Sequence, residues 1–124
     1  MECILLLKIS IQLEKKTKIH ILVTGASRGI GREICESLSK LQHFEIYGIG
    51  RSNIKNTNFN YVSTDISKKN SLSLLNKKIP KLDVLINNAG IARTKHKSKI
   101  KNFSEIIDFN LKIPYIVSEF FLKK

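Results

Sequence analysis

The chain has 124 residues, the size of one domain, and its hydrophobic share of 42% is ordinary for a globular protein. The net charge is +12, from 22 basic and 10 acidic residues, but the lysines are scattered and not interleaved with aromatic residues. We therefore expect no nucleic-acid partner. No apolar run approaches the roughly 20 residues that span a bilayer, and no secretory signal pattern is present. We expect a cytoplasmic protein with no membrane contact.

The two cysteines, Cys3 and Cys35, have neither disulfide-framework nor zinc-site spacing, and the three histidines have no partners at metal-ligand spacing. We expect no metal site. Residues 1–17 form a leader that alternates weakly between apolar and polar residues. An added edge strand, a short helix and a disordered arm all fit this leader, and residues 18–124 then form a single domain.

Four short apolar runs predict strands. The first, residues 18–23, is a continuous run rich in β-branched residues, which is typical of a strand buried on both faces of a parallel sheet. The other predicted strands are residues 44–50, 59–63 and 82–86.

Apolar residues at helical spacing predict helices between and after these strands. The predicted helices are residues 32–42, residues 67–78 with Ser67 as the N-cap, and residues 103–122 with a kink at Pro114. Residues 91–102 are too rich in lysine to form a core and predict a polar loop. Alternation of strands and helices predicts an α/β fold, a parallel sheet of about four strands in the order 3-2-1-4 with helices on both faces.

A glycine-rich turn follows the first predicted strand and precedes the first helix. Gly25 allows a sharp turn, Gly29 lets a pyrophosphate approach the backbone, and Gly31 allows close packing of the helix on the sheet. The free N–H groups of a helix N-terminus favour phosphate binding. The turn therefore predicts a dinucleotide site.

The full string TGASRGIG at residues 24–31 resembles the cofactor fingerprint of the short-chain dehydrogenases/reductases. Three further motifs extend the resemblance to about residue 122. Asp65, followed by Ile66, matches the acidic residue that hydrogen-bonds adenine in that family. The string Asn87-Asn88-Ala89-Gly90 matches the motif beside the nicotinamide ribose, and Asn110 matches the asparagine of the catalytic tetrad. The resemblance implies a Rossmann-type NAD(P)-binding domain.

The charge at the end of the second strand distinguishes a preference for NAD from one for NADP. An acidic residue at the end of the second strand would favour NAD by binding the ribose 2′-hydroxyl. This chain has Gly50-Arg51-Ser52 there, and both Arg51 and Arg28 can reach a 2′-phosphate with charge-assisted hydrogen bonds. We expect NADP to be preferred over NAD. The expected cofactor-binding residues are Gly25, Ser27, Arg28, Gly29, Ile30, Gly31, Arg51, Asp65, Ile66, Asn87, Asn88, Ala89 and Gly90.

Other roles remain open for three of these side chains. Arg51 also fits a solvated loop residue, and Asp65 also fits a cap for a helix that begins near Ser67. Asn110 also fits a residue that satisfies backbone carbonyls at a helix distortion above Pro114.

The family's chemistry uses a tyrosine with a lysine four residues later and an upstream serine. None of the three tyrosines, Tyr47, Tyr61 and Tyr115, has a lysine four residues later. Set against the family pattern, the chain ends before the expected fifth strand. We expect an incomplete domain in which Asn110 is the one tetrad residue present, and the resemblance leaves open whether the chain alone is an enzyme.

The resemblance implies NADP-dependent hydride transfer between nicotinamide and a carbonyl or alcohol. The first substrate expectation is a 3-oxoacyl thioester, as for the 3-oxoacyl-[acyl-carrier-protein] reductases of that family. The alternative is a non-catalytic NADP-binding or interaction module. Expected partners are the small carbonyl or acyl thioester substrate and either a second copy of the chain or a complementing C-terminal fragment.

Overall fold

The computed structural model describes residues 18–92 and 103–123. Its strands are β1 (Ile19–Thr24), β2 (Phe44–Gly50), β3 (Asn60–Ser63) and β4 (Val84–Ile86). Its helices are α1 (Gly29–Ser39), α2 (Ser71–Lys78), α3 (Phe103–Ile107), a π-helical turn (Asp108–Lys112) and α4 (Ile113–Leu122). The leader 1–17 and most of the predicted loop 91–102 lie outside the described residues.

The four strands form one parallel sheet in the order β3-β2-β1-β4, which confirms the predicted topology. β1 lies between β2 and β4, with Ile21 paired to both Ile46 and Val84. The carboxyl ends of β1, β2 and β4 therefore open at the same edge of the sheet, where parallel α/β sheets bind their ligands.

Helices cover both faces of the sheet because alternate residues of each strand point to opposite sides. Val23 and Ile46 pack with Cys35 of α1 on one face. Leu22 packs on the other face with Leu75 of α2 and Val117 of α4. Leu22 and Val23 have no exposed surface, as expected for a strand that is buried on both sides.

The first helix begins at Gly29, three residues earlier than predicted. Arg28 is extended and occupies the N-cap position, so Gly29, Ile30 and Gly31 form the first turn of α1. The prediction was wrong because glycine disfavours helix interiors, whereas the first turn lacks intrahelical donor bonds and tolerates it.

The second helix begins at Ser71, and Ser67 is not its N-cap. The Asp65 carboxylate accepts hydrogen bonds from the Ser67 backbone N–H (3.0 Å) and hydroxyl (2.7 Å), and the Lys68 N–H donates to the Asp65 carbonyl. These bonds hold residues 65–68 in a turn instead of a helix.

The last helical segment is interrupted by the π-helical turn, which directly precedes α4. Proline has no backbone N–H, so Pro114 cannot donate to the Asn110 carbonyl four residues earlier. The sequence predicted a kink at this proline, and the structure has a change of helical pitch just before it. Among the described residues, no helix has the length and apolar character needed to cross a bilayer.

Candidate cofactor site

The glycine turn between β1 and α1 is packed too tightly for side chains at two of its three glycines. Gly25 has a φ of +73°, and a Cβ on it would lie 2.8 Å from the Cα of Ala89. A Cβ on Gly31 would overlap the Asn88 amide and the Gly25 carbonyl. Gly29 has a φ of +59°, but its side-chain position has no atom within 4 Å. Open space therefore adjoins the first turn of α1.

Asn88 and Thr24 join the carboxyl ends of β4 and β1. The Thr24 hydroxyl accepts hydrogen bonds from the backbone N–H groups of Asn88 (3.0 Å) and Ala89 (2.9 Å). The Asn88 amide donates to the carbonyls of Thr24 (3.0 Å) and Gly25 (3.3 Å). The Asn87-Asn88-Ala89-Gly90 segment thus holds the glycine turn in place through Asn88.

A cleft of about 460 Å³ opens at this edge of the sheet. Its walls include most of the predicted cofactor residues, namely Gly25, Ser27, Arg28, Gly29, Arg51, Ile66, Asn88, Ala89 and Gly90. The structure therefore brings together segments that lie up to about 65 residues apart in the chain.

Four predicted residues lie outside the walls of this cleft: Ile30, Gly31, Asp65 and Asn87. Gly31 acts through packing, as described above. The Asn87 amide donates to the Ser118 hydroxyl (3.0 Å) and so connects the end of β4 to α4. Ile30 is exposed on the first turn of α1.

The pKa of the Asp65 carboxyl lies below its ordinary value. Partial burial opposes ionisation, but the two hydrogen bonds from Ser67 and the charges of Arg51 and Lys68 outweigh it. Asp65 therefore stays ionised and caps the turn at residues 65–68. This corrects the alternative in which it capped a helix beginning near Ser67.

Arg51 follows β2 and lines the cleft. Its Cζ lies 5.9 Å from the centroid of the Phe109 ring, a distance at which a cation–π attraction operates. Among the described residues, the walls of this cleft contain two arginines, Arg28 and Arg51, and no carboxylate. The walls therefore carry two positive charges, and the Asp65 carboxylate, between the wall residues Thr64 and Ile66, interacts with the charge of Arg51.

Asn110 lies in the π-helical turn before Pro114 and is paired with the backbone of Ile91, so it does satisfy a backbone carbonyl at a helix distortion, as the alternative predicted. Its Oδ1 accepts from the Ile91 N–H (2.8 Å) and its Nδ2 donates to the Ile91 carbonyl (2.7 Å). The π-helical turn places Asn110 opposite the chain that leaves β4. This bidentate contact fixes the end of the Asn-Asn-Ala-Gly segment beside the cleft.

Several wall residues were missed by sequence reasoning: Ile49, Gly50, Ser52, Thr64 and Phe109. Gly50 and Ser52 flank Arg51, so their proximity to the site was readable from the sequence. Phe109 gave no local signal, because its position depends on how the π-helical turn packs against the sheet. Among residues 18–92 and 103–123, no cluster of His, Cys, Asp and Glu side chains could hold a metal ion.

The family model described as short chain dehydrogenase matches residues 19–124. The chain belongs to the short-chain dehydrogenase family. Among curated proteins, it is 36% identical over 112 residues to the 3-oxoacyl-[acyl-carrier-protein] reductase FabG of Rickettsia felis. That match covers 83% of this chain and 46% of the relative, so the chain spans about half the length of the curated protein it resembles.

Two solved structures of similar proteins have the same fold. The aldohexose dehydrogenase of Thermoplasma acidophilum, in its ligand-free form, superposes with a TM-score of 0.70 at 26% identity, covering 86% of this chain and 44% of that one. The NADPH-bound carbonyl reductase from chicken fatty liver superposes with a TM-score of 0.68 at 27% identity, covering 87% and 49%.

Proposed function

We propose that this chain is the cofactor-binding part of an NADP-dependent short-chain oxidoreductase that transfers hydride to or from a carbonyl group. The observation that carries the proposal is the cleft at the N-terminus of α1, which is bounded by the glycine turn and by Asn88 and lined by Arg28 and Arg51. The relatives cited above make a 3-oxoacyl thioester the first substrate class to test.

The residues of the cleft fit a dinucleotide. Open space adjoins Gly29, and the N–H groups at the start of α1 have no intrahelical acceptors, which suits a pyrophosphate. The Gly31 position leaves no room for a side chain, so the helix start is held close to the sheet. Bound NADPH would supply the hydride, and the chain's own residues would bind and orient it.

NADP preference is proposed from Arg51 and Arg28. Arg51 is exposed at the end of β2, where a carboxylate would otherwise favour NAD. A guanidinium binds a phosphate through two parallel, charge-assisted hydrogen bonds. Loss of such a contact costs roughly 1.5–3 kcal/mol, or about 10- to 150-fold in affinity.

Calorimetric titration with NADPH and NADH tests this preference. We expect wild-type protein to bind NADPH more tightly, and Arg51→Ala to lose most of that difference while its NADH affinity stays unchanged. Lys55→Ala, which removes another exposed cation from the same loop, is the matched control. Equal wild-type affinities for the two cofactors would contradict the proposal.

A second candidate function is a non-catalytic NADP-binding module. It is favoured by one observation: none of the three tyrosines is followed four residues later by lysine. Asn110 cannot itself act as the proton donor, because an amide does not titrate near neutral pH. The two candidates share the cofactor site and differ in whether the chain reduces a carbonyl.

A further inference from the structure

The backbone carbonyls of residues 50–52 are each hydrogen-bonded to a residue of β3 or to Thr64, which follows it. The Thr64 N–H donates to the Gly50 carbonyl (2.8 Å), and the Ser63 hydroxyl donates to the Arg51 carbonyl (3.4 Å). The Tyr61 hydroxyl donates to the Ser52 carbonyl (2.7 Å). These bonds fix where the Arg51 side chain leaves the main chain.

Two groups act on the guanidinium of Arg51: the Phe109 ring and, through its charge, the Asp65 carboxylate. The guanidinium lies over the Phe109 ring, and among the described residues Arg51 forms no ion pair within 4.0 Å. An exposed arginine has many rotamers, and binding a phosphate normally costs the entropy of ordering them. Contact with Phe109 removes part of that freedom before any ligand binds.

Phe109 is itself anchored. Its side chain packs against the core cluster that contains Leu22 and Val117. The neighbouring Asn110 makes two hydrogen bonds to the backbone of Ile91. The ring is therefore a packed surface on the wall of the cleft. The N–H donors of a guanidinium all lie in its own plane, so an attraction to a ring face leaves them available to a phosphate.

We propose that Phe109 is a positioning residue that determines cofactor specificity: its ring holds the Arg51 guanidinium in place to receive the 2′-phosphate of the adenosine. This rests on the NADP proposal above. The ring itself makes no phosphate contact, so its effect appears only with ligands that carry the 2′-phosphate. A cation–π attraction at an exposed site is worth about 0.5–1 kcal/mol, which corresponds to roughly a 2- to 5-fold change in affinity.

Adenosine 2′,5′-bisphosphate and adenosine 5′-monophosphate are suitable probes, since they differ by the 2′-phosphate and lack the nicotinamide. Calorimetry gives the affinity ratio of the two probes for wild type and variants. We expect Phe109→Leu to weaken binding of the bisphosphate by about 2- to 5-fold and to leave the monophosphate unchanged. Phe109→Tyr, which keeps the aromatic face, should retain the wild-type ratio.

Two further variants keep the test independent of folding and packing. Replacement of Phe109 by pentafluorophenylalanine keeps the ring shape but reverses its quadrupole, so it should reduce the ratio as leucine does. In an Arg51→Ala background, Phe109→Leu should no longer change the ratio. Unfolding midpoints of all variants would show that each protein is folded when titrated.

The possible failures are distinguishable. If wild type binds both probes equally, the NADP proposal fails. If Arg51→Ala lowers the ratio while Phe109→Leu and the fluorinated ring leave it unchanged, only the role of Phe109 is overturned. If Phe109→Leu weakens both probes equally, the ring contacts the adenosine, and its role as a positioning residue for Arg51 is also overturned.

Discussion

Asn88 and Thr24 bind each other at the carboxyl edge of the sheet through both their side chains and their backbones. The Asn88 amide donates to the Thr24 carbonyl at 3.0 Å, while the Thr24 hydroxyl accepts the Asn88 backbone N–H at 3.0 Å. The same amide also donates to the Gly25 carbonyl at 3.3 Å. One side chain therefore ties the end of β4 to the turn on which the proposed cofactor site depends.

Asn88→Ala is expected to destabilise the fold by about 1–3 kcal/mol, because it leaves the partly buried carbonyls of Thr24 and Gly25 without their donor. Urea unfolding followed by circular dichroism measures the change. The matched control is Asn76→Ala, at an exposed position of α2. Similar unfolding free energies for both variants would show that the Asn88 contacts do not stabilise the turn.

Gly31→Ala is expected to cost more stability than Gly29→Ala, although both change the same helical turn. A Cβ on Gly31 overlaps the Asn88 amide and the Gly25 backbone, and overpacking of this kind costs about 1–3 kcal/mol. At Gly29 the side-chain position is open, so only the left-handed backbone conformation resists alanine, at about 1–2 kcal/mol. Chemical denaturation of the two variants compares these costs.

The two glycine variants also differ in their expected effect on ligand binding. Gly31→Ala pushes α1 away from the glycine turn, so we expect it to weaken NADPH binding strongly in protein that remains folded. Gly29→Ala adds a methyl group to the open space where the phosphate is proposed to lie. If both variants bound NADPH like wild type, the turn would not be the phosphate site.

Burial raises the pKa of the Cys35 thiol to about 12, with a smaller contribution from the charge of Glu36. In Cys3→Ser protein, Cys35 is the one remaining thiol, and we expect it to react with Ellman's reagent at pH 8 only after unfolding. An unfolded thiol ionises near pH 8.5, so unfolding releases a proton above that pH and stability falls as pH rises. Rapid labelling of native protein would contradict the buried position of Cys35.

The 124-residue chain alone is expected to show no useful carbonyl reduction. A positioned proton donor contributes roughly 10²- to 10⁴-fold to such a step, and Asn110 cannot supply it. NADPH oxidation at 340 nm with 3-oxoacyl thioesters and simple ketones measures the rate. Robust turnover that survives Asn110→Ala would reveal a proton donor outside the family pattern and overturn this expectation.

The strands and the glycine turn were predictable because they depend on local composition. Short apolar runs indicated the strand positions, and the spacing of glycines indicated the turn that joins β1 to α1. The start of α2 was not predictable from the sequence, because the Asp65 carboxylate binds Ser67 and holds residues 65–68 in a turn. Helical spacing of apolar residues carries no information about such a contact.

Contacts between residues far apart in the chain could not be predicted from the sequence either. Asn110 was identified by its motif, but its pairing with the Ile91 backbone depends on the π-helical turn that precedes Pro114. Arg51 was identified by its charge, whereas the Phe109 ring beneath it lies 58 residues further along the chain. Local patterns thus predicted nine of the residues that line the cleft, but neither the other wall residues nor the contacts that restrain them.

A crystal structure of the chain soaked with NADPH tests the central claim most directly. The account predicts a pyrophosphate against the backbone N–H groups at the start of α1 and a 2′-phosphate within hydrogen-bond distance of Arg51. A dinucleotide bound away from the glycine turn, or no binding at saturating NADPH, would contradict it.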